Sequence, residues 1–321
     1  MCRLLEFNKV VIKAKERKTN VTILEDISFS IEKGQTLGIV GESGCGKSIT
    51  GKSILGLLNK HINITDGEII FRDKVISNIS EKELRTFCGK EIGMIFQEPM
   101  TALNPLLTIG RQISEPLFIH LKMNKKQAYN KSLELLRDVG INEPEKIIRS
   151  YPYELSGGMR QRVLIAIAIS CNPLLLIADE PTTALDVTVQ AQVLRILKKL
   201  IKDRNMSLLL ISHDLAVISQ MCEKVIVMYS GEIVEEDTTE NIINNPKHPY
   251  TKKLLSSARE LIKGQEKLTI VNGSVPRPEE IILGCKFSKR CEEVQERCFF
   301  NRPLLVSKVN SNGKVKCWEN I

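Results

Sequence analysis

Residues 41–48 read Gly-Glu-Ser-Gly-Cys-Gly-Lys-Ser, a pattern that suits the binding of a phosphate chain. Glycine lets the backbone curl tightly enough for consecutive N–H groups to face phosphate oxygens. Lys47 would neutralise the charge of the outer phosphates, and the Ser48 hydroxyl would hold Mg²⁺. This phosphate loop therefore predicts a nucleoside triphosphate site made by Gly41, Glu42, Ser43, Gly44, Cys45, Gly46, Lys47 and Ser48.

Two acidic residues follow an apolar run at 174–178, which predicts a buried strand. Asp179, at the tip of that strand, would hold Mg²⁺ through water. Glu180 would point at the outermost phosphate and polarise an attacking water molecule. Because five apolar residues precede these acids and Pro-Thr-Thr follows, we interpret them as functional residues, not as a solvated strand end.

A second candidate phosphate site lies in residues 155–162, Leu-Ser-Gly-Gly-Met-Arg-Gln-Arg. Ser156, Gly157 and Gly158 open a predicted helix, and the N-terminal end of a helix attracts phosphate. One nucleotide cannot easily use two such sites in one subunit. The sequence therefore predicts two subunits packed head to tail, each completing the nucleotide site of the other.

The elements that must position these residues alternate between strands and helices. Residues before 36 alternate like antiparallel strands, and residues 36–40 predict the strand that leads into the phosphate loop. Residues from about 114 to 169 have a helical pattern, and after 174 short apolar strands alternate with helices. This alternation predicts an α/β fold with a mainly parallel sheet and helices on its faces.

Composition is that of an ordinary globular protein: 321 residues, 42% hydrophobic and 26% charged. No apolar run approaches the roughly 18 residues that span a bilayer, and the N-terminus is too charged for a secretory signal. We therefore expect a cytoplasmic protein whose membrane role, if it has one, requires partner chains.

The net charge of +8 is concentrated at the C-terminal end, because residues 251–321 contain fourteen Lys or Arg and eight Asp or Glu. These charges are scattered singly among acids and lack interleaved aromatics. We therefore expect them to form a solvated surface and not a nucleic-acid site.

In order and spacing, the motifs resemble those of the ATP-binding-cassette (ABC) ATPases. The phosphate loop matches their Walker A motif, residues 174–180 their Walker B motif and residues 155–161 their signature motif. The resemblance adds three more matches: Gln97 as the Q-loop glutamine, residues 184–186 as the D-loop and His213 as the switch histidine.

This resemblance implies a role for each matching residue. Glu180 is implied to be the general base, His213 to contact the outermost phosphate and help position water, and Gln97 to link Mg²⁺ to a transmembrane partner. The signature serine and glycines are implied to bind the outermost phosphate held by the other subunit. The nucleotide-binding set that the signature and D-loop add is Ser156, Gly157, Gly158, Gln161 and Asp186.

The resemblance covers residues 1 to about 250 and implies the P-loop NTPase fold of ABC ATPases. That fold has a RecA-like parallel core, an antiparallel β subdomain and an α-helical signature subdomain, here at about 98–169. Prolines and glycines after residue 245 indicate a boundary near residue 250. Residues 251–321 would then form a small cysteine-containing C-terminal extension.

The chain departs from the family near Ala14, where the family usually stacks adenine on an aromatic residue. No aromatic residue occurs between Phe7 and Phe29. Because stacking contributes at most about 2 kcal/mol, we expect binding to survive with weaker base contact. The sequence predicts modest discrimination between ATP and GTP.

The extension resembles that of the oligopeptide/dipeptide/nickel branch of importers, through residues 245–251 and 284–291. Its four cysteines are spaced C-x5-C-x6-C-x18-C and suit a tetrahedral Zn²⁺ or a [4Fe–4S] cluster, free buried thiols being the third alternative. The spacing lacks the tight pairs usual in zinc sites, and members of this branch with matching cysteines have been associated with an iron–sulfur cluster. The resemblance therefore favours the cluster, with the ligands Cys285, Cys291, Cys298 and Cys317.

Taken as a whole, the resemblance implies the ATP-hydrolysing subunit of an ABC importer of dipeptides and oligopeptides, at the cytoplasmic face of the membrane. Its implied partners are a second ATPase subunit, identical or paralogous, two transmembrane permeases and an extracytoplasmic solute-binding protein. No nucleic acid is expected. An importer of nickel or a metal chelate is the alternative within the branch.

A soluble ABC ATPase acting on DNA or ribosomes is the alternative from a different class. Residues 48–155 leave no room for the long coiled coil of DNA-repair members, and the chain has one cassette where ribosome-associated members usually have two. A regulatory module without turnover would require the loss of Glu180 or His213, and both are present.

Overall fold

The computed structural model describes residues 3–16, 19–183, 185–263, 274–280, 282–309 and 311–320. Ala184 of the D-loop match lies outside these residues. In chain order, the strands are β1 Arg3–Glu16, β2 Thr19–Glu32, β3 Thr36–Val40, β4 Ile62–Phe71, β5 Lys74–Val75, β6 Ile92–Ile95, β7 Leu175–Asp179, β8 Ser207–Ser212, β9 Lys224–Tyr229, β10 Glu232–Thr238, β11 Val306–Ser307 and β12 Lys314–Val315.

The helices are α1 Lys47–Ile54, α2 Glu81–Leu84, α3 Pro99–Ala102, α4 Ile109–Leu121, α5 Lys125–Asp138, α6 Pro144–Ile147, α7 Gly157–Ala168, α8 Val187–Asp203, α9 Leu215–Met221, α10 Thr239–Asn244, α11 Pro249–Lys263 and α12 Arg297–Phe300. Short 3₁₀ turns cover Pro152–Glu154, Ser288–Arg290 and Trp318–Asn320. Within the described residues, no helix combines the length and the apolar character needed to cross a membrane.

The described residues form two compact units. The first unit comprises residues 32–35 and 79–209, and the second comprises residues 3–31, 36–78 and 210–321. Strand β8 contains the point at which the chain passes from the first unit to the second.

The first unit combines two parallel strands with the helices that carry the signature residues. Strands β6 and β7 pair in parallel, with Ile92 opposite Leu175 and Ile95 opposite Ala178. Every residue of β7 is buried, which is why its sequence is a continuous apolar run that ends in Asp179. Helices α4, α5 and α7 pack against one another, and the buried hydroxyls of Ser114 and Ser132 meet at 3.0 Å.

The second unit contains an antiparallel sheet and a mixed sheet. The antiparallel sheet runs in the order β2-β1-β4-β5, and its strands β1 and β2 come from the residues before 36 that the alternating pattern predicts to be strands. In the mixed sheet β3 and β9 are parallel, and β10, β12 and β11 continue it antiparallel. The expected mainly parallel core is therefore found in part, because the strands added beyond β9 are antiparallel.

The basic C-terminal residues correct one sequence expectation. They were expected to form a solvated surface, but several are buried against acids of β10. Lys308, whose side chain is 5% exposed, lies 2.7 Å from Glu235 and 2.9 Å from Asp237. Lys316 lies 3.1 Å from Glu232. These cations are buried because strand β12 pairs with β10 and brings the end of the chain onto an acidic strand.

Candidate functional site

The phosphate loop joins β3 to α1 in the second unit. Strand β3 is buried beyond its first residue, and α1 begins at Lys47, so the last two residues of the loop belong to the first turn of the helix. Gly41 has no room for a side chain, since a Cβ there would lie 2.3 Å from the carbonyl oxygen of Met228. Gly46 has φ near +102° and would place a Cβ 2.4 Å from Leu24, so it too must be glycine. The strand–loop–helix setting predicted from the sequence is confirmed.

Lys47 is held at the mouth of this loop. Its ammonium donates hydrogen bonds to the carbonyl oxygens of Gly41 at 2.7 Å and Glu42 at 2.9 Å, and the residue is 5% exposed. A buried cation bound by the loop's own backbone is well placed to exchange those carbonyls for phosphate oxygens. Burial raises the pKa of the neighbouring Cys45 thiol, so this side chain adds no negative charge to the loop.

The two candidate acids, Asp179 and Glu180, lie at the end of β7 in the first unit. Asp179 is buried at the last strand position, and Glu180 follows with a φ of +46°, a left-handed conformation that is unfavourable for a residue with a Cβ. Two donors meet at one oxygen of Glu180: the Gln97 amide at 3.1 Å and the Thr183 hydroxyl at 2.9 Å. The carboxylate is therefore held in one orientation by neighbours on both sides of it in the sequence.

The signature residues begin helix α7, also in the first unit. The Ser156 hydroxyl caps that helix by accepting the N–H of Met159 at 3.3 Å. Gly158 lies against α8, where a Cβ would come within 2.6 Å of Val189, whereas a Cβ on Gly157 would meet Leu185 at an ordinary 3.7 Å. Helix α7 therefore begins at Gly157, directly after Ser156, as the sequence predicts.

Gln161, Asp186 and His213 complete the predicted set. Gln161 is 1% exposed, and within the described part of the chain its Nε2 has no hydrogen-bond partner. Asp186 caps α8 by accepting the N–H of Val189 at 2.9 Å. His213 belongs to the second unit and is exposed directly after β8. The residues predicted for the nucleotide site thus divide between the units: the phosphate loop and His213 lie in the second, and the others lie in the first.

Comparison with known proteins identifies the family. The model "ABC transporter" matches residues 24–183, and the model "Oligopeptide/dipeptide transporter, C-terminal region" matches residues 234–298. The oligopeptide transport ATP-binding protein AppD of Bacillus subtilis is 47% identical over 99% of this chain and 97% of its own length. The dipeptide transport ATP-binding protein DppD of the same organism is 46% identical, over 93% of this chain and 89% of its own.

The chain is an ABC transporter ATP-binding protein of the oligopeptide/dipeptide branch. As such it is a transport ATPase with the P-loop NTPase fold. A solved cassette, MJ0796, matches this ATPase with a TM-score of 0.67 and 28% sequence identity. The match covers 74% of this chain and 99% of the MJ0796 chain. That cassette is a dimer in a post-hydrolysis state bound to ADP and phosphate.

The cysteines of this ATPase behave in two ways. Cys45, Cys171 and Cys222 are buried at widely separated positions of the chain, and Cys88 is half-buried. The four cysteines of the C-terminal extension instead line one cavity, together with His248, Phe287 and Trp318. Burial is the main cause that raises the pKa of the Cys285 and Cys291 thiols to about 11. In the described ranges, however, no group of three or more His, Cys, Asp or Glu is arranged to hold a metal ion.

Sequence reasoning missed three residues that hold predicted site residues in place. Thr183 donates to Glu180, and its signal was visible in the Pro-Thr-Thr sequence that follows Glu180. Tyr250 and Arg290 contact Glu42 of the phosphate loop. Their separation from the loop by more than 200 positions gave no local signal, because only the folded chain brings them there.

Proposed function

We propose that this ATPase drives the uptake of dipeptides and oligopeptides, acting as a peripheral subunit on the cytoplasmic face of a membrane importer. The observation that carries the proposal is the match of the C-terminal region, since the nucleotide site alone is common to all ABC ATPases. The relatives that match nearly the full length, extension included, are named for oligopeptide and dipeptide transport.

In the proposed mechanism, the phosphate loop binds ATP and Glu180 acts as the general base. Lys47 would neutralise the outer phosphates, and Ser48 and Asp179 would hold a Mg²⁺ ion that supplies charge neutralisation on the phosphate oxygens. The donors on Glu180 support its role as base, because they orient one carboxylate oxygen before water arrives. Gln97 would report nucleotide and Mg²⁺ to the permease, and His213 would contact the outermost phosphate.

Two subunits are proposed to form the working unit. The capped N-terminus of α7 presents Ser156, Gly157 and Gly158 as a phosphate-binding helix end that suits the ATP of a second subunit. Asp186 would line the same junction, whereas Gln161, which is 1% exposed, would support the junction only from within the subunit. The dimeric state of the similar MJ0796 cassette supports this arrangement. The remaining partners would be two permeases and an extracytoplasmic solute-binding protein.

The four cysteines of the C-terminal extension are proposed to bind a [4Fe–4S] cluster, with Zn²⁺ as the alternative. Four thiols lining one cavity provide the right donors, although their positions in the structure are not those of a closed metal site. Anaerobic purification should then yield brown protein with absorbance near 400 nm and about four iron atoms per chain. Colourless protein with one zinc per chain would support the alternative, and metal-free protein would refute both.

The Glu180→Gln variant tests the hydrolytic role. It should bind ATP and form an ATP-dependent dimer but fail to hydrolyse, because the amide cannot accept a proton from water. Full hydrolysis by this variant would refute Glu180 as the base.

The substrate assignment is tested in cells that express the whole importer. Uptake of a radiolabelled dipeptide should be lost with Glu180→Gln, and the protein should co-purify from membranes with two permeases. Uptake of nickel instead of peptide would indicate the metal importer of the same branch. Co-purification with nucleic acid or ribosomes would overturn the transport function.

A further inference from the structure

The phosphate loop of this ATPase is contacted by residues from the far end of the chain. Arg290 forms a two-bond ion pair with the Glu42 carboxylate, at 3.0 Å to one oxygen and 3.2 Å to the other. The Arg290 side chain is 6% exposed and that of Glu42 is 26% exposed, so the pair is largely shielded from water. Paired geometry of this kind is both directional and strong.

The backbone of Glu42 is fixed as well. Its N–H donates to the Tyr250 hydroxyl at 2.9 Å. Tyr250 is fully buried and packs against Tyr229 and Phe287, with ring centroids 4.7 and 5.4 Å away. Because Tyr250 cannot move without disturbing this aromatic cluster, it holds one residue of the phosphate loop rigidly.

Arg290 rests on the same cluster. Its guanidinium donates to the Tyr229 hydroxyl at 3.2 Å and lies 5.7 Å from the centre of that ring. Phe287, three positions before Arg290, is 1% exposed and lies 5.2 Å from Tyr229. We name Tyr250, Phe287 and Arg290 the C-terminal clamp.

The chemistry of Glu42 explains why a clamp is needed. A carboxylate in a loop that binds a polyphosphate repels the ligand unless a cation compensates for it. Arg290 supplies that cation from outside the loop, and its fork also fixes the direction of the Glu42 side chain.

We propose that Tyr250 and Arg290 are positioning residues of the phosphate loop, so that docking of the C-terminal region sets the affinity of this ATPase for nucleotide. Neither residue touches the reacting atoms. The C-terminal region thereby neutralises the charge of Glu42 in the phosphate loop and orients its side chain. This inference goes beyond the transport function and does not depend on which solute is carried.

The decisive experiment is a cycle of variants in the full-length protein, with ATP affinity measured by displacement of a fluorescent ATP analogue. Arg290→Ala should weaken ATP binding by roughly tenfold, a typical coupling between two sites. The KM for ATP should rise in parallel, while kcat stays within about twofold. Arg290→Lys should lie between, because it keeps the charge but loses the fork.

The second arm separates this role from a purely structural one. In the double variant Arg290→Ala with Glu42→Gln, ATP affinity should return to within about threefold of the parent, because the uncompensated carboxylate is gone. If Arg290→Ala acted by unfolding the C-terminal region, a substitution in the phosphate loop would not restore ATP affinity. Tyr250→Phe should weaken ATP binding several-fold through the freed N–H of Glu42.

Arg297→Ala is the matched control. Arg297 is another arginine of the C-terminal region, but it stacks on Trp318 at 5.1 Å and donates to the carbonyl oxygen of that residue. Its replacement should leave ATP affinity unchanged. Thermal unfolding of each variant establishes that it is folded.

Parent-like ATP affinity in folded Arg290→Ala would overturn the inference, and so would a double variant no better than the single one. If Arg290→Ala is unfolded, Arg290→Lys and Tyr250→Phe decide: unchanged affinity in both overturns it. If these variants change ATP affinity as expected but the importer does not take up peptide, the transport proposal alone is refuted.

Discussion

The side-chain amide of Gln97 lies 3.1 Å from the same Glu180 oxygen that accepts the Thr183 hydroxyl. Glu180 itself has a left-handed backbone conformation, with a φ of +46°. The residue is thus fixed by its backbone and by two donors. Stabilisation of a strained residue by its surroundings is typical of functional sites.

Replacing Gln97 with Glu should shift the pH dependence of hydrolysis. Two carboxylates at hydrogen-bond distance cannot both ionise easily, so the pKa of the pair rises. We expect the acidic limb of the kcat profile to move to higher pH by about one unit or more. Steady-state ATPase rates between pH 5 and 9 provide the measurement, and an unmoved limb would contradict the contact.

Thr183 offers a subtler test of the same carboxylate. Thr183→Val removes the hydroxyl that donates to Glu180 but keeps the shape of the side chain. We expect kcat to fall by roughly tenfold, since orientation of the base is lost, with ATP affinity nearly unchanged. Thr183→Ser keeps the hydroxyl and is the matched control; if both variants lose activity equally, the hydroxyl is not responsible.

The two signature glycines should differ in their tolerance of alanine. Gly158→Ala would place a Cβ 2.6 Å from Val189 and should lower the free energy of unfolding by about 1–3 kcal/mol. Gly157→Ala meets only an ordinary contact and should leave stability equal or slightly higher. Urea unfolding measures both. Adding Val189→Ala should recover most of the loss in Gly158→Ala, and no recovery would show that the clash is not its cause.

Lys308→Met should make the protein sensitive to acid. Burial alone would raise the pKa of Asp237, but hydrogen bonds from Asn241, Lys308 and Ser311 outweigh it and hold that pKa below 3.8. A depressed carboxyl pKa adds stability above the unfolded-state value, and that stability is lost as pH falls through the folded-state value. Without Lys308 this pKa rises, so unfolding should begin at higher pH.

At pH 7 the same variant leaves buried carboxylates without their cation and should be destabilised by about 3–5 kcal/mol. Lys314→Met is the control, because Lys314 is 44% exposed and lies 3.8 Å from Glu236. Urea midpoints at neutral and acidic pH compare the two variants. Equal losses from both would show that burial of the Lys308 pair is unimportant.

Ala14→Tyr tests the absence of an aromatic residue from β1. Ala14 is half-buried in that strand and lies opposite Ile62 of β4. If this is where adenine would stack, the tyrosine should tighten ATP binding by roughly fivefold and increase the preference for ATP over GTP. A parent protein that already prefers ATP strongly would contradict the prediction.

Motifs with local signals were the easiest to predict. The phosphate loop, β7 and the start of α7 are each specified by a short stretch of sequence: glycines, an apolar run, or a serine before glycines. The strand β3 before the loop follows from its apolar residues. Such features depend on neighbours a few positions away, which a sequence displays directly.

Contacts between distant segments could not be predicted in this way. The sequence predicts solvated basic C-terminal residues because nothing local shows that their acidic partners lie in β10, roughly 70 to 85 positions earlier. The pairing of β12 with β10 is equally hidden from the sequence, since β12 is only two residues long and lies more than 70 positions after β10. Pairing at such separation is decided by the whole fold, not by local pattern.

The burial of Lys308 has a consequence for synthesis of the protein. Glu235 is fully buried, and its cation lies some 70 residues further along the chain. Before Lys308 has been synthesised, Glu235 and Asp237 lack this cation, and a buried carboxylate without a compensating charge opposes folding. The second unit, which also contains the phosphate loop near the N-terminus, can therefore reach its final form only after Lys308 has been synthesised. A premature stop after residue 300 would keep every nucleotide motif and still yield an unstable protein.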